Sequence, residues 1–391
     1  MRSGIISIGS FILATTTGCL GGANALAPCG PHSQESAICG LMNPEDLGFL
    51  PGETWILVSE MAPNAQDADS EDGNGLHGRL TAIRVADMER RTLYPQDAKR
   101  RAPATIADAD PPAAPTNVKI SVANATRWGD LNCPGEPDAA QFRPHGIGLG
   151  QAANGRPAVA VVNHGGREAV ELFEVLSGDA PALVWRGCVP MPVGVSTNDV
   201  ALLPSGGFVV TNFMPAFDSI GPKAIWTMLK ISFGARTGSL LRWEPGTGIE
   251  EIENSRGSAP NGVVASADGT EFFVAEWGGR SIYRLRLNAD GPPVRDEVAL
   301  EHNPDNLTWM RDGRLLVAGQ KGGVSTSLGC GSIRDAGCDI GYSVYALDPA
   351  SLEANPLLEG RGAASVALEV GDEVFVGFFI GDQVERRRQS N

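Results

Sequence analysis

Residues 263–276 read VVASADGTEFFVAE. Apolar residues lead into the polar turn Ala267-Asp268-Gly269, and an apolar run from Phe272 to Ala275 leaves it and stops at Glu276. An Asp-Gly pair between two apolar stretches supplies the backbone freedom that a tight β-hairpin turn demands. The pattern recurs at 47–59 (LGFLPGETWILVS), 147–163 with a longer turn at Asn154-Gly155, 200–212 (VALLPSGGFVVTN), 307–319 (LTWMRDGRLLVAG) and 366–378 (VALEVGDEVFVGF). Further strands are expected at 169–175, 281–287 and 342–347. The longer first interval holds strands at 76–85 and 118–122 and a loop-rich stretch at 88–115. Short-strand units repeating every ~40–60 residues are the mark of blades stacked around an axis. Six copies over residues 41–391 predict an all-β fold: a six-bladed propeller with four-stranded blades around a central, calcium-binding channel. A two-sheet sandwich does not predict six equal repeats.

The channel reading comes from the residues just ahead of each copy. They are Glu45-Asp46, His145-Gly146, Asn198-Asp199, Asn261-Gly262, Asp305-Asn306 and Ala364-Ser365. One such residue alone reads as a turn former. The same phase in several copies places oxygen-bearing side chains where the innermost strands begin and converge. Glu, Asp and Asn present hard oxygens of the kind calcium collects. Carboxylates facing one another in a tunnel repel without a cation between them. Glu45, Asn198, Asn261, Asp305 and Asn306 form the expected cage. Asp46 and Asp199, offset by one position, point deeper and form a candidate second ion site. His145 sits at the axial phase, and His164 ends the second strand of the same blade. A neutral imidazole beside a bound water is a candidate general base near pH 7. His32, His77 and His302 fall outside the pattern.

Composition narrows the remaining classes. Gly 49 and Pro 27 with only 6% aromatic residues fit many short strands and turns. The net charge of −15 disfavours nucleic acid and unassisted docking on anionic lipid. Arg2, the mostly apolar 5–20 stretch and Ala25-Leu26-Ala27 read as a signal peptide over 1–27, with 28–391 as the propeller domain. Cleavage after Ala25 is an alternative, as is lipid anchoring at Cys19. Export makes the product secreted or periplasmic. No later segment is apolar enough for a transmembrane span. Six cysteines remain after the signal, and the short spacings favour Cys29–Cys39 and Cys330–Cys338, leaving Cys133–Cys188, among fifteen pairings. The acidic stretch 67–75 fails the EF-hand spacing and reads as a solvated loop. Asn306-Leu307-Thr308 fits a glycosylation sequon, which a channel position excludes; Asn124-Ala125-Thr126 stays open.

The sequence resembles the paraoxonase and arylesterase family. The matching stretches are Pro44-Glu45-Asp46-Leu47, Phe142-Arg143-Pro144-His145-Gly146-Ile147, Val161-Val162-Asn163-His164, Val170-Glu171-Leu172-Phe173, Asn198-Asp199-Val200, Pro260-Asn261-Gly262 and Pro304-Asp305-Asn306-Leu307. The resemblance implies a propeller with a catalytic and a structural calcium ion. Glu45, Asn198, Asn261, Asp305 and Asn306 would bind the catalytic ion. Asp46, Asp199 and the backbone carbonyl of Ile147 would bind the structural one. His145 and His164 resemble the family's histidine dyad, which assists water attack on lactones. The animal enzymes tie their first and last strands with a disulfide. No cysteine follows Cys338 here, so that closure is absent or replaced.

The expected activity is hydrolysis of a small lactone or aryl ester. No G-x-S-x-G elbow and no H-E-x-x-H is present. Glu45 or Asp305 is the alternative activator of water. Two other readings stay open: a strictosidine-synthase-like or sugar-lactonase propeller, and a non-catalytic calcium-binding propeller. Residues 222–233 (PKAIWTMLKISF) read either as a packing helix or as a lid with Ile225, Trp226, Leu229 and Phe233 on one side, through which membrane contact is conceivable.

Overall fold

A strand covered on both faces needs apolar residues at consecutive positions rather than alternate ones. Phe272, Phe273, Val274 and Ala275 are such a run, and in the computed structural model of the chain all are buried. Successive side chains point to opposite faces. Phe272 and Val274 pack with Ala201, Leu203, Val209 and Leu240 of the preceding sheet. Phe273 joins Leu307, Leu315 and Val317 of the following one. The structure describes residues 23–30, 36–62, 77–96, 128–217, 221–333 and 336–388. Most of the signal segment, Cys19, His32, the 67–75 loop, the 118–122 strand and Asn124 lie outside the described residues.

Six antiparallel sheets follow one another along the chain. Blade 1 holds Pro44–Phe49, Trp55–Glu60, Arg79–Arg84 and Arg90–Tyr94. Blade 2 holds Pro144–Gln151, Pro157–Asn163, Ala169–Leu176 and Ala182–Pro190, with Trp128–Gly129 added in parallel outside. Blade 3 holds Val195–Leu202, Phe208–Pro215, Ser239–Glu244 and Gly248–Glu251. Blade 4 holds Pro260–Ala265, Glu271–Glu276, Ser281–Asn288 and Gly291–Ala299. Blade 5 holds Asn303–Trp309, Leu315–Gln320, Tyr342–Leu347 and Ala354–Gly360. Blade 6 holds Ala363–Val370, Glu373–Ile380 and Gln383–Arg388. Its outermost strand is Ala37–Cys39, from the start of the described chain. Arg90–Tyr94 corrects the loop-rich expectation for that stretch. Its outward positions are exposed, so an outer strand carries little apolar pattern to read.

Each inner strand packs on the next, and that of blade 6 returns to blade 1, closing the ring. The largest apolar clusters lie between adjacent blades; Leu57, Leu80, Val159 and Phe173 fill one such interface. Closure uses main-chain pairing, with Ala37 opposite Glu385, Ile38 opposite Val384 and Cys39 opposite Gln383. Buried Ile38 anchors that strand among Leu47, Val58 and Val384. An edge that would otherwise stay open is covered, so the missing disulfide is replaced by a ladder. The cysteines pair as Cys29–Cys39, Cys133–Cys188 and Cys330–Cys338. These bonds fit an oxidising, exported environment.

Inner strands begin, and second strands end, at the same end of the ring. The connections from second to third strands therefore lie beside the hub. Two of them are helical, α1 (Pro222–Ser232) in blade 3 and α2 (Val324–Cys330) in blade 5. α1 seats Ala224, Thr227 and Ile231 and turns Ile225, Trp226, Leu229 and Phe233 to solvent. Among the described residues no helix is long and apolar enough to cross a membrane.

Candidate functional site

The inner strands bring their first residues to one axis. Glu45, Asp46, Asn198, Asp199, Asn261, Asp305 and Asn306 are all buried, Glu45 and Asn306 to 1% exposure. Their second positions alternate around the ring: Asp46, Gly146, Asp199, Gly262, Asn306, Ser365. The alternation is steric. A Cβ on Gly146 would lie 2.4 Å from Asp199 Oδ1, and one on Gly262 would lie 2.6 Å from Asn306 Cα. Each glycine makes room for the polar residue of the next blade.

The deeper aspartates stitch blades together. Asp46 accepts from the N–H of Leu47 (2.8 Å) and, across the blade boundary, from that of Ile147 (2.7 Å). Asp199 accepts from Val200 and Val263 in the same way, each at 2.7 Å. Ile147, whose carbonyl the resemblance assigns to an ion, thus stands at the hub through its N–H.

Nearer the mouth, Asn306 Nδ2 donates to Glu45 Oε1 at 2.8 Å, and the Asn261 side chain bonds Asp305. Among the described residues, four oxygens in this group have no hydrogen-bond partner: Glu45 Oε2, Asn198 Oδ1, Asn261 Oδ1 and Asn306 Oδ1. Buried polar atoms rarely stay unpaired, and here all four are acceptors from the expected cage. Burial raises the hub carboxyls, and mutual repulsion adds to it. Glu45 and Asp199 are pushed well above the usual range, by burial first and by Asp46 next. Asp46 and Asp305 rise to about 7, chiefly through burial. Among the described residues no three His, Cys, Asp or Glu side chains form a metal-holding group. The oxygens gathered at the hub are those of carboxylates and amides, a donor set that suits calcium rather than zinc.

In blades 1 to 4 a polar residue at or near the end of the second strand secures the approach to the inner strand. Glu60 accepts from Met42 N, Asn163 from Arg143 N, Asn212 from Ser196 N and Glu276 from Ser258 N. Blade 5 departs from this. Gln320 turns inward, donating to Asp305 Oδ2 and to Ala364 O, while its own oxygen accepts from Trp277 Nε1 at 2.7 Å. Sequence reasoning missed Gln320, although its place at the end of a second strand was visible.

The two histidines meet. His145 Nδ1 lies 2.8 Å from His164 Nε2, and His145 Nε2 faces Glu45 Oε1 at 3.6 Å, too far for a direct hydrogen bond. Burial, then the neighbouring His164, push His145 down to about 3, so its ring is neutral near pH 7. Behind the pair, Glu168 Oε2 lies 2.8 Å from His164 Nδ1. Glu168 belongs to an irregular connection and carries no periodic signal. His77 is exposed, and His302 is buried against Tyr345, away from the hub pattern.

The family model described as arylesterase matches residues 117–326, more than half of the chain. No curated protein matches it by sequence. Among solved structures, a luciferin-regenerating enzyme is 11% identical, over 89% of this chain and 92% of that one, with a TM-score of 0.49. A gluconolactonase from Xanthomonas campestris is 15% identical, over 94% of this chain and 100% of that one, with a TM-score of 0.44. A streptogramin B lyase is 11% identical, over 91% and 96%, with a TM-score of 0.45. With more than half of its length matched by that family model, and with six blades around a polar hub, the chain belongs to the arylesterase family of esterase-type hydrolases.

Proposed function

We propose that this protein is an exported, calcium-dependent hydrolase of lactones or aryl esters. The observation that carries the reading is the set of four buried oxygens that, among the described residues, lack a hydrogen-bond partner and lie among carboxylates with no lysine or arginine beside them. Glu45, Asn198, Asn261, Asp305 and Asn306 would hold the catalytic ion; Asp46, Asp199 and the Ile147 carbonyl would hold the structural one. A calcium ion, when bound, supplies the positive charge that stabilises the oxyanion developing from the substrate carbonyl. His145 Nε2 takes a proton from water as the water oxygen bonds to the carbonyl carbon. His164 orients the His145 ring through Nδ1. The acyl C–O bond then breaks, and His145 returns the proton to the departing oxygen, giving a hydroxy acid or an acid and a phenol.

Export through the segment 1–27, with 28–391 as the mature domain, is part of the proposal, supported by the three disulfides. Contact with an apolar surface through Ile225, Trp226, Leu229 and Phe233 is supported by their exposure.

The test is metal analysis of the purified protein, with hydrolysis of aliphatic, aromatic and sugar lactones and aryl esters measured before and after chelation. Activity restored by calcium alone supports the reading; a panel untouched by calcium overturns it. His145→Gln should lower kcat by about 10²–10⁴-fold at unchanged calcium content, and unchanged turnover would remove His145 as the base.

A further inference from the structure

The dyad has a third member. Glu168 stands in the blade 2 connection that follows His164, and its carboxylate spans the boundary to blade 3. Oε1 accepts from both the backbone N–H and the hydroxyl of Thr197, at 2.6 and 2.5 Å. Oε2 faces His164 Nδ1 at 2.8 Å. The Glu168 carbonyl accepts from Met191 N at 2.9 Å, so the backbone is fixed too. Thr197 directly precedes Asn198, which ties this carboxylate to the inner strand bearing a hub oxygen.

We propose that Glu168 is a positioning residue that sets the tautomers of both histidines, so that His145 turns an unprotonated Nε2 to the hub. The inference rests on the proposed hydrolytic role of His145 for its functional meaning, and on hydrogen-bond direction for its structural content. An ionised carboxylate only accepts hydrogen bonds. Burial raises the Glu168 carboxyl, but the bonds from His164 and Thr197 outweigh this and hold it below the usual range. His164 must therefore carry its hydrogen on Nδ1. In the neutral ring its Nε2 is then an acceptor, and the facing His145 Nδ1 donates across the 2.8 Å between them. The lone pair left over is on His145 Nε2, the atom 3.6 Å from Glu45.

Glu168→Gln is a sharp probe because Thr197 chooses the orientation of the amide. A backbone N–H can only donate, so it holds the amide oxygen and turns the NH₂ towards His164 Nδ1. That donor reverses both tautomers and places a hydrogen on His145 Nε2, while the clamp to Thr197 survives. A misplaced imidazole tautomer is costly even where the geometry is kept.

The measurement is ¹⁵N histidine NMR on the purified, calcium-loaded protein, where five histidines keep the spectrum tractable. Wild type should show hydrogen on Nδ1 and a bare Nε2 at both His145 and His164, and Glu168→Gln should reverse both. In the same variant kcat should fall about 10²-fold with KM within about twofold and an unchanged melting temperature. Glu168→Asp, still acceptor-only, should recover part of kcat. Added to His145→Gln, Glu168→Gln should cost nothing further. An Nε2 hydrogen or an imidazolium at His164 in the wild type overturns the proposal. So do unchanged tautomers in Glu168→Gln, or unchanged kcat in a protein whose His145→Gln variant is inactive. If His145→Gln retains full turnover, the assignment of the base fails, and the wild-type tautomers still decide the role of Glu168, with no variant required.

Discussion

Two sets of buried carboxylates occupy this molecule, and their surroundings are opposite. Glu60, Glu171, Glu174 and Glu276 lie within the blades, each against arginine: Arg79 at 2.7 Å, Arg167 at 2.7 Å, Arg156 at 2.9 Å and Arg295 at 3.0 Å. Glu45, Asp46, Asp199 and Asp305 are as deeply buried at the hub. Among the described residues no lysine or arginine pairs with them, and His145 approaches Glu45 only at 3.6 Å. The blade carboxylates are paired within the chain, whereas among the described residues the hub carboxylates have no arginine or lysine partner and are held above the usual carboxyl range by burial. Burial alone does not single out a candidate functional acid; burial without a counter-charge is what sets the hub apart from the blades.

The contrast can be broken from either side. The largest effect is expected in the blades. Glu171→Ala strands Arg167 and the Trp185 N–H, and should cost about 3–5 kcal/mol in thermal unfolding, equally with and without calcium. If it weakened calcium binding as well, the two sets would not be independent.

Next comes the metal itself. Calcium at a hundredfold excess over its Kd should stabilise the protein by about 2.7 kcal/mol per site, read as a rise in Tm. Asp46 and Asp305, with folded values near 7, bind protons more tightly folded than unfolded. In the calcium-stripped protein the stability these two groups contribute should therefore be fully present at the ordinary aspartate value of about 4 and be lost as pH rises towards 7. His145, depressed to about 3, and His302, depressed to about 4, pull the other way against the hub carboxylates. A stripped protein whose Tm rises through that window would contradict the unpaired-charge account.

Gln320→Ala frees an Asp305 oxygen, and should weaken calcium binding about 10–100-fold in titration calorimetry. Unchanged affinity would make Gln320 a packing residue only. The smallest effect carries an opposite sign. Glu45→Gln removes a carboxyl that burial holds well above the usual range, so the stripped protein should lose less stability as pH rises while calcium affinity falls. An unchanged pH dependence in the stripped state would place Glu45 with the arginine-paired set.

The blades were legible because their cause is local. Runs such as Phe272–Ala275 and turns such as Asp268-Gly269 state burial and chain reversal within a few residues. The hub positions were legible because one phase recurs at Glu45, Asn198, Asn261 and Asp305, and repetition turns a common turn former into a signal. Other features had no such trace. Ala37–Cys39 is too short to read as the strand that closes blade 6. Arg90–Tyr94 lacks apolar alternation because its outer face meets solvent. Glu168 is an acidic residue in a connection, indistinguishable in sequence from a solvated one.

The amino-acid order by itself determined the hairpins, their number and the polar phase at which they begin, since turn chemistry and apolar runs act over neighbouring residues. The spacing of Cys29 to Cys39 and Cys330 to Cys338 likewise favoured the bonds observed. Only the closed ring decided that Asn306 reaches Glu45, that Gln320 joins Asp305 to the Ala364 carbonyl of blade 6, and that Glu168 meets both His164 and Thr197. Those partners belong to different blades or different turns of the chain, and local preference carries no information about distance across an axis. The ring supplies that distance by burying each blade against the next, and the direction of each hub hydrogen bond follows from it.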